Sequence, residues 1–166
     1  TSTKKAYRRI SWSFGNNTFY SPISGHHYRP VAMQAVTYDY AKNWCGSKQL
    51  YGIQGYLATV TSQEENDIST TKALGFGWVS GEDKNKGIWR IDSGPEDGTQ
   101  FWRGSSASQG GSVLGSAFTN WAPPNNTNIL GEPIINVGAS EVTGIDRLYL
   151  ARSGFWESRA LDSRQV

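Results

Sequence analysis

The sequence predicts one α+β domain, on three observations. Two segments of helical period with capping residues lie in its first half. Short runs rich in aromatic and β-branched residues punctuate the chain, bounded by turn formers. After residue 92 glycine, proline and asparagine dominate, which makes the second half loop-rich. With 166 residues, 7 Trp, 8 Tyr, 6 Phe and 19 Gly, the chain can bury a core and favours compact aromatic packing over a helical bundle.

In chain order, "KKAYRRISWSF" reads as a strand and "HHYRPVAM" as a second short extended run. "TYDYAKNWCGSKQLYG" then shifts to a helical period: Thr37 caps it, Tyr40, Trp44 and Leu50 recur at roughly helical spacing, and Gly52 stops it. "YLATV" (Tyr56 to Val60) is a short apolar strand. "SQEENDISTTKALG" is a surface helix with Ser62 and Glu65 at capping-box spacing. Acids fill its first turn, Lys72 lies in its last and Gly75 ends it, as the helix dipole prefers. "FGWVSG" and "GIWRI" are strands joined by the polar turn "EDKNK". After Phe101 and Trp102, "GSSASQGGSVLGSA" has nine Gly or Ser in fourteen positions, the composition of a linker. Hydrophobic patterning resumes at once in "AFTNW", so this stretch is an excursion within one domain. No repeat of about 20–50 residues is present, which excludes a solenoid.

A net charge of +2 gives no global field for nucleic acid. Four of the first nine residues are basic (Lys4, Lys5, Arg8, Arg9) and read as a solvated edge. The single Cys45 excludes an internal disulfide framework. No apolar run approaches the ~20 residues that span a bilayer, so no membrane insertion is expected. The chain starts at Thr1 without a signal-like segment and reads as a monomeric module cut from a longer protein. Nucleophile-elbow, zincin, phosphate-loop and Cys-x-x-Cys motifs are absent, and Glu96 and Asp97 sit in a Gly-Pro turn; the expectation is not an enzyme.

The ordered pieces "TYDYA", "GYLATVTSQEEN", "WVSGED", "GIWR", "GPEDGTQFW", "FTNWAPPNN", "GEP" and "GFWES" resemble the C-type lectin-like domain, in its cysteine-poor form from bacterial surface adhesins. They cover about residues 27–161. The resemblance implies two helices flanking small antiparallel sheets, a long loop region on a second sheet, and an extracellular or cell-surface location. Cys45 matches one family cysteine, while Ile134 and Leu161 stand at the positions of another cysteine pair. These two apolar residues are expected in contact, and Cys45 as a small buried hydrophobe. The family's last strand has no counterpart after Val166, or the Ala6 to Phe14 segment fills that edge.

"FTNWAPPNNTNILGE" (Phe118 to Glu132) carries the functional expectation. In sugar-binding relatives a Glu-Pro-Asn triplet with a cis proline, a later Glu and a Trp-Asn-Asp motif present oxygens to one calcium. By that resemblance Pro124 takes the proline position with a cis Pro123–Pro124 bond, and Asn125, Glu132 and Glu157 supply metal oxygens. Asn126, Asn128, Ser158 and Asp146 are the further ligand-binding candidates, with Glu141 an alternative to Asp146. Calcium takes about six to eight hard oxygen ligands, which carboxylates and amides provide. Pro123 stands where the family has a glutamate, Ser158 is a weaker ligand than Asp, and Glu157 is longer than Asn.

The implied function is calcium-dependent recognition of a glycan or a peptide end on a host or neighbouring cell surface. The alternative is a calcium-independent lectin-like fold used for protein contact or as a spacer. Asp83 matches an accessory-calcium position, but Lys84 and Lys86 favour a plain solvated turn. Trp78, Trp89 and Trp121 are expected in the core. His26 and His27 lack a third metal-ligand partner and read as surface residues.

Overall fold

A computed structural model describes residues 18–34, 36–72, 76–83, 87–104, 111–122 and 146–160. These form a mixed α+β arrangement with three antiparallel sheets. Strands β1 (Phe19–Tyr20) and β2 (His27–Tyr28) make a small hairpin. Helix α1 (Tyr38–Gly46) follows, then the short pair β3 (Gln49–Leu50) and β4 (Ile53–Gln54). Helix α2 (Gln63–Asp67) widens into a π-helical turn over Ile68–Lys72. Strands β5 (Gly77–Asp83), β6 (Ile88–Arg90), β7 (Gln100–Arg103), β8 (Ser112–Val113), β9 (Asp146–Leu150) and β10 (Trp156–Ala160) build the main sheet in the order β10-β9-β5-β6-β7-β8. No helix among the described residues is long and apolar enough to cross a membrane.

Helix α1 starts where the capping chemistry places it: the Thr37 hydroxyl accepts from the Tyr40 N–H at 3.4 Å. It stops a turn and a half before the expected Gly52. Ser47 closes it with its own N–H on Asn43 and Trp44 carbonyls, and the chain reverses as β3–β4, with Tyr51 (φ 51°) and Gly52 (φ 80°) at the turn. Two consecutive left-handed residues suit a tight hairpin, so Gly52 turns a strand pair where a helix stop was expected. Tyr56–Val60 joins no ladder either. It is extended chain that bonds β5 once, Ser80 N–H to the Ala58 carbonyl at 2.8 Å, while Leu57 and Val60 are buried.

Ser62 caps α2 by accepting from the Glu65 N–H at 3.2 Å. The reciprocal half of the box is displaced by one residue, because the Glu65 carboxylate takes the Thr61 N–H (2.7 Å) and hydroxyl (2.8 Å). Glu65 is fully buried and also accepts from the Tyr28 hydroxyl at 2.5 Å. Burial pushes this carboxyl up, but its hydrogen bonds carry it below its ordinary range, so α2 holds a buried carboxylate. The same carboxylate lies 3.3 Å from His26 Nδ1, whose Nε2 is 3.4 Å from Glu96. The surface reading therefore fits the exposed His27 but not the half-buried His26.

Side-chain alternation gives the main sheet two distinct faces. On one, Trp89, Phe101, Trp102, Leu148, Leu150 and Trp156 form the larger core with Val60, Val79 and Ile91. Phe118 and Trp121 pack onto it, with Trp89 and Trp121 ring centroids 5.0 Å apart and Trp121 and Trp156 5.8 Å apart. On the other face Tyr38, Leu57, Trp78 and Tyr149 pack beneath α1. Trp78 lies edge-on to Tyr38 at 5.6 Å and to Tyr149 at 5.5 Å. The three tryptophans are thus core residues, and Cys45 packs half-buried against this second cluster. Burial pushes its thiol up, as suits an unreactive apolar filler. Ile134, Leu161 and the Pro123–Pro124 bond lie outside the described residues, as does the Ala6 to Phe14 segment.

Two substitutions test this packing. Ser62→Ala removes the α2 cap and is expected to lower stability by about 0.5–2 kcal/mol in urea unfolding. Gly81→Ala would set a Cβ 2.8 Å from the Leu148 Cβ. The Leu148 Cδ2 would lie 2.9 Å away as well, and Leu148 is 2 % exposed with no room to yield, so a loss of about 1–3 kcal/mol is expected; on a Leu148→Ala background, which removes Cδ2 but keeps Cβ, the same change should cost less.

Candidate functional site

Asn125, Asn126, Asn128, Glu132 and Glu141 lie outside the described residues. The structure does show where the chain on either side of them is anchored. On its amino-terminal side, Trp121 bridges in parallel to Trp156. Trp156 donates to the Asn120 carbonyl at 2.8 Å, and Ala122 donates to the Trp156 carbonyl at 3.1 Å. On its carboxy-terminal side, Asp146 begins β9 opposite Ala160 of β10. Both flanks are therefore fixed to one strand, β10, which carries Glu157 and Ser158.

Register divides the three described candidates. Partners across β9–β10 are Glu157 with Tyr149, Ser158 with Leu148, and Ala160 with Asp146. Paired residues share a face, and neighbours along a strand take opposite ones. Asp146 and Ser158 accordingly lie on the larger-core face and share a hydrogen bond. Glu157 lies on the Tyr149 face, where its Oε2 accepts from Arg159 Nη2 at 2.8 Å and Nε at 3.2 Å. Arg159 in turn stacks over the Tyr149 ring at 3.6 Å.

Asp146 has a like-charged neighbour, since Asp83 is its direct partner across β5–β9. Both are buried, at 5 % and 7 % exposure. Asp83 is not the solvated turn residue its sequence context suggests. Its carboxylate accepts the Gly87 N–H at 2.6 Å and the Ile88 N–H at 3.3 Å, capping the β5–β6 turn from inside. Burial chiefly, with the Asp83 charge, pushes Asp146 up to about 6, against the Ser158 hydrogen bond and the Arg147 charge. Among the described residues no group of three or more His, Cys, Asp or Glu side chains stands together as a metal site. The oxygens of Asp146, Asp83 and Ser158 are of the hard kind that suits calcium, yet they do not make a shell of six without further ligands.

The second face carries a charge network that pattern reading does not reveal. Arg159, Arg147, Glu82 and Arg90 are successive cross-strand partners over four strands. Arg90 donates twice to Glu82 Oε1, at 2.9 and 3.1 Å. Arg147 Nη1 is 3.5 Å from Glu82 Oε2 and Nη2 is 3.8 Å from Asp39, with its guanidinium 4.9 Å over the Tyr38 ring. A second node hangs on Asp92, which accepts from the Tyr38 hydroxyl, from Lys42 Nζ at 2.8 Å and from Ser80 Oγ at 3.0 Å. Burial pushes Asp92 up, but these donors together carry it below the usual carboxylate range. The only signal in sequence is charge inside otherwise apolar strands, and its meaning depends on register.

Asp146 gives a pH dependence with a defined sign. Its folded value of about 6 exceeds the ordinary 3.8, so the native state holds this proton more tightly than the unfolded chain. Its contribution is complete below the unfolded value and is lost as pH rises through about 6. In chelator, raising pH from about 5 to about 7.5 should lower stability by about 1–1.5 kcal/mol through this group. Asp146→Asn should flatten that slope in denaturant titrations; an unchanged slope would place the titration elsewhere.

No family model matches the chain, and no solved structure matches it significantly. One curated relative is similar: halomucin of Haloquadratum walsbyi (strain DSM 16790 / HBSQ001), 34% identical over 125 residues. The similarity covers 74% of this chain but 1% of halomucin, so the chain spans about one hundredth of that relative's length.

Proposed function

We propose that this domain is a non-enzymatic recognition module of the C-type lectin-like kind, carried on an extracellular or cell-surface protein. It binds a glycan or a peptide end through a calcium ion held by the loop after Trp121. The Trp121–Trp156 bridge is the observation that carries this reading. It holds Trp121, and with it Ala122, against the strand of Glu157, just before "PPNN" in the chain. The similarity to a segment of a very much longer protein named as a mucin supports a module within an extended surface chain.

In this reading Asn125 and Glu132 join Glu157 around the ion, with Asn126 and Asn128 toward the ligand. Calcium suits the set because its shell is wide and tolerant, while magnesium demands a tight octahedron and keeps its waters. A second reading has its own observation: Glu157 is already paired with Arg159, as befits a calcium-independent fold used for protein contact.

Thermal melts in calcium, magnesium and chelator separate the two. The calcium reading expects stabilisation of about 2.7 kcal/mol at a hundredfold excess over Kd, less in magnesium, and none in Glu132→Gln or Glu157→Gln. Under the second reading calcium changes nothing, and Glu157→Gln costs only about 1 kcal/mol, the worth of a partly exposed ion pair.

A further inference from the structure

A groove of about 430 Å³ opens beside α1, lined by Lys42, Asn43, Ser47, Tyr56 and Ser93 over the buried Leu57. None of its lining residues belongs to the loop after Trp121 or to β9–β10. Its size falls within the ~300–1,000 Å³ usual for small-molecule sites.

Its chemistry is mixed and nearly neutral. Lys42 Nζ spends one proton on Asp92 at 2.8 Å and keeps two to donate. Ser47 Oγ donates to the Trp44 carbonyl at 2.7 Å, and Ser93 Oγ to the Leu57 carbonyl at 2.9 Å. Both hydroxyls keep their lone pairs as acceptors. The Asn43 amide is exposed and adds both donors and an acceptor. Tyr56 gives an aromatic wall. Its hydroxyl meets no hydrogen-bonding partner among the described residues, and its ring is wedged against Gly94, where an added Cβ would fall 2.6 Å from it.

Charge narrows the ligand class. The lysine is neutralised by Asp92, and the groove runs along the carboxy-terminal half of α1, the negative end of its dipole. An anion is disfavoured there, and no carboxylate lines the groove to hold a cation. A neutral, polyhydroxylated ring meets these features, with hydroxyls that both donate and accept and an apolar face for the tyrosine.

We propose that this groove is a calcium-independent subsite for a neutral saccharide ring, separate from the loop after Trp121. Amide chemical shifts of the whole chain, recorded in chelator, test it with glucose, mannose, galactose, N-acetylglucosamine and their disaccharides. Glucuronate and glucosamine serve as charged controls. Saturable shifts at Asn43, Ser47, Tyr56 and Ser93 with at least one neutral sugar are expected. Asn43→Ala and Tyr56→Phe should each weaken binding about fivefold, the worth of one hydrogen bond. Tyr56→Phe removes a hydroxyl that makes no hydrogen bond among the described residues, and an unchanged melting temperature would leave its loss to be read on the ligand. Glu132→Gln should leave this binding intact, which separates it from the calcium reading. Absence of saturable shifts with every neutral sugar overturns the proposal. So does equal binding of the charged controls, unchanged affinity in both groove variants, or binding that appears only when calcium is restored.

Discussion

Trp156 is the residue on which the loop-bearing end of the molecule depends. It is 1 % exposed, with its ring edge-on to Phe101, Phe118 and Trp121 at 5.6–5.8 Å between centroids. A buried indole N–H needs an acceptor, and Asn66 of α2 supplies one at 3.0 Å. The same asparagine donates to the Gly154 carbonyl, which also accepts from Asn120. Backbone bonds from Trp156 to Asn120 and Ala122 then pin the chain just before "PPNN". One residue thus joins helix, core, edge strand and the chain at Asn120–Ala122. Ordering a loop costs about 1–2 kcal/mol per residue in backbone entropy, and a shared anchor at its flanks is the economical way to offset that.

The opposite face of the sheet solves a different problem. Burying Glu82 and Arg147 side by side gains little net stability over an apolar pair, because desolvation consumes most of the attraction. It does enforce register. A slip of β9 by one residue against β5 would turn Arg147 into the tryptophan core and Leu148 out of it. Arg147 also reaches Asp39 and the Tyr38 ring of α1. The register that aligns the strands therefore also seats the helix, and through Tyr38 and Asp92 it fixes Lys42 at the edge of the groove.

Local signals were legible where the physics is local. Thr37 and Ser62 cap their helices because each needs only a backbone N–H a turn away. β5 and β6 followed from aromatic and β-branched runs between turn formers. Gly52 misled because a left-handed glycine serves a hairpin and a helix end equally well. Tyr56–Val60 misled because apolar extended chain need not join a ladder. His26 and Asp83 could not be read at all: their partners Glu65, Glu96 and the Gly87 and Ile88 amides are set by tertiary contact. Of the candidate site, Asp146 and Ser158 do meet. Their separation from Glu157 was hidden, since it is a matter of parity along β10 and not of residue type.

That parity constrains any cation at this edge. Side chains on opposite faces of a strand cannot close around one ion, so Glu157 and the Asp146–Ser158 pair cannot serve the same calcium. An ion taking Glu157 lies on the Tyr149 face and must compete with the Arg159 guanidinium 2.8 Å from that carboxylate. An ion taking Asp146 lies on the core face, where Asp83 already spends its oxygens on the β5–β6 turn. Trp156, whose carbonyl accepts from Ala122, shares the core face with Ser158, so its ring lies opposite the Glu157 carboxylate. Arg159 then has a definite part: its two hydrogen bonds orient Glu157, and in the proposed calcium reading it is the group a cation would have to displace.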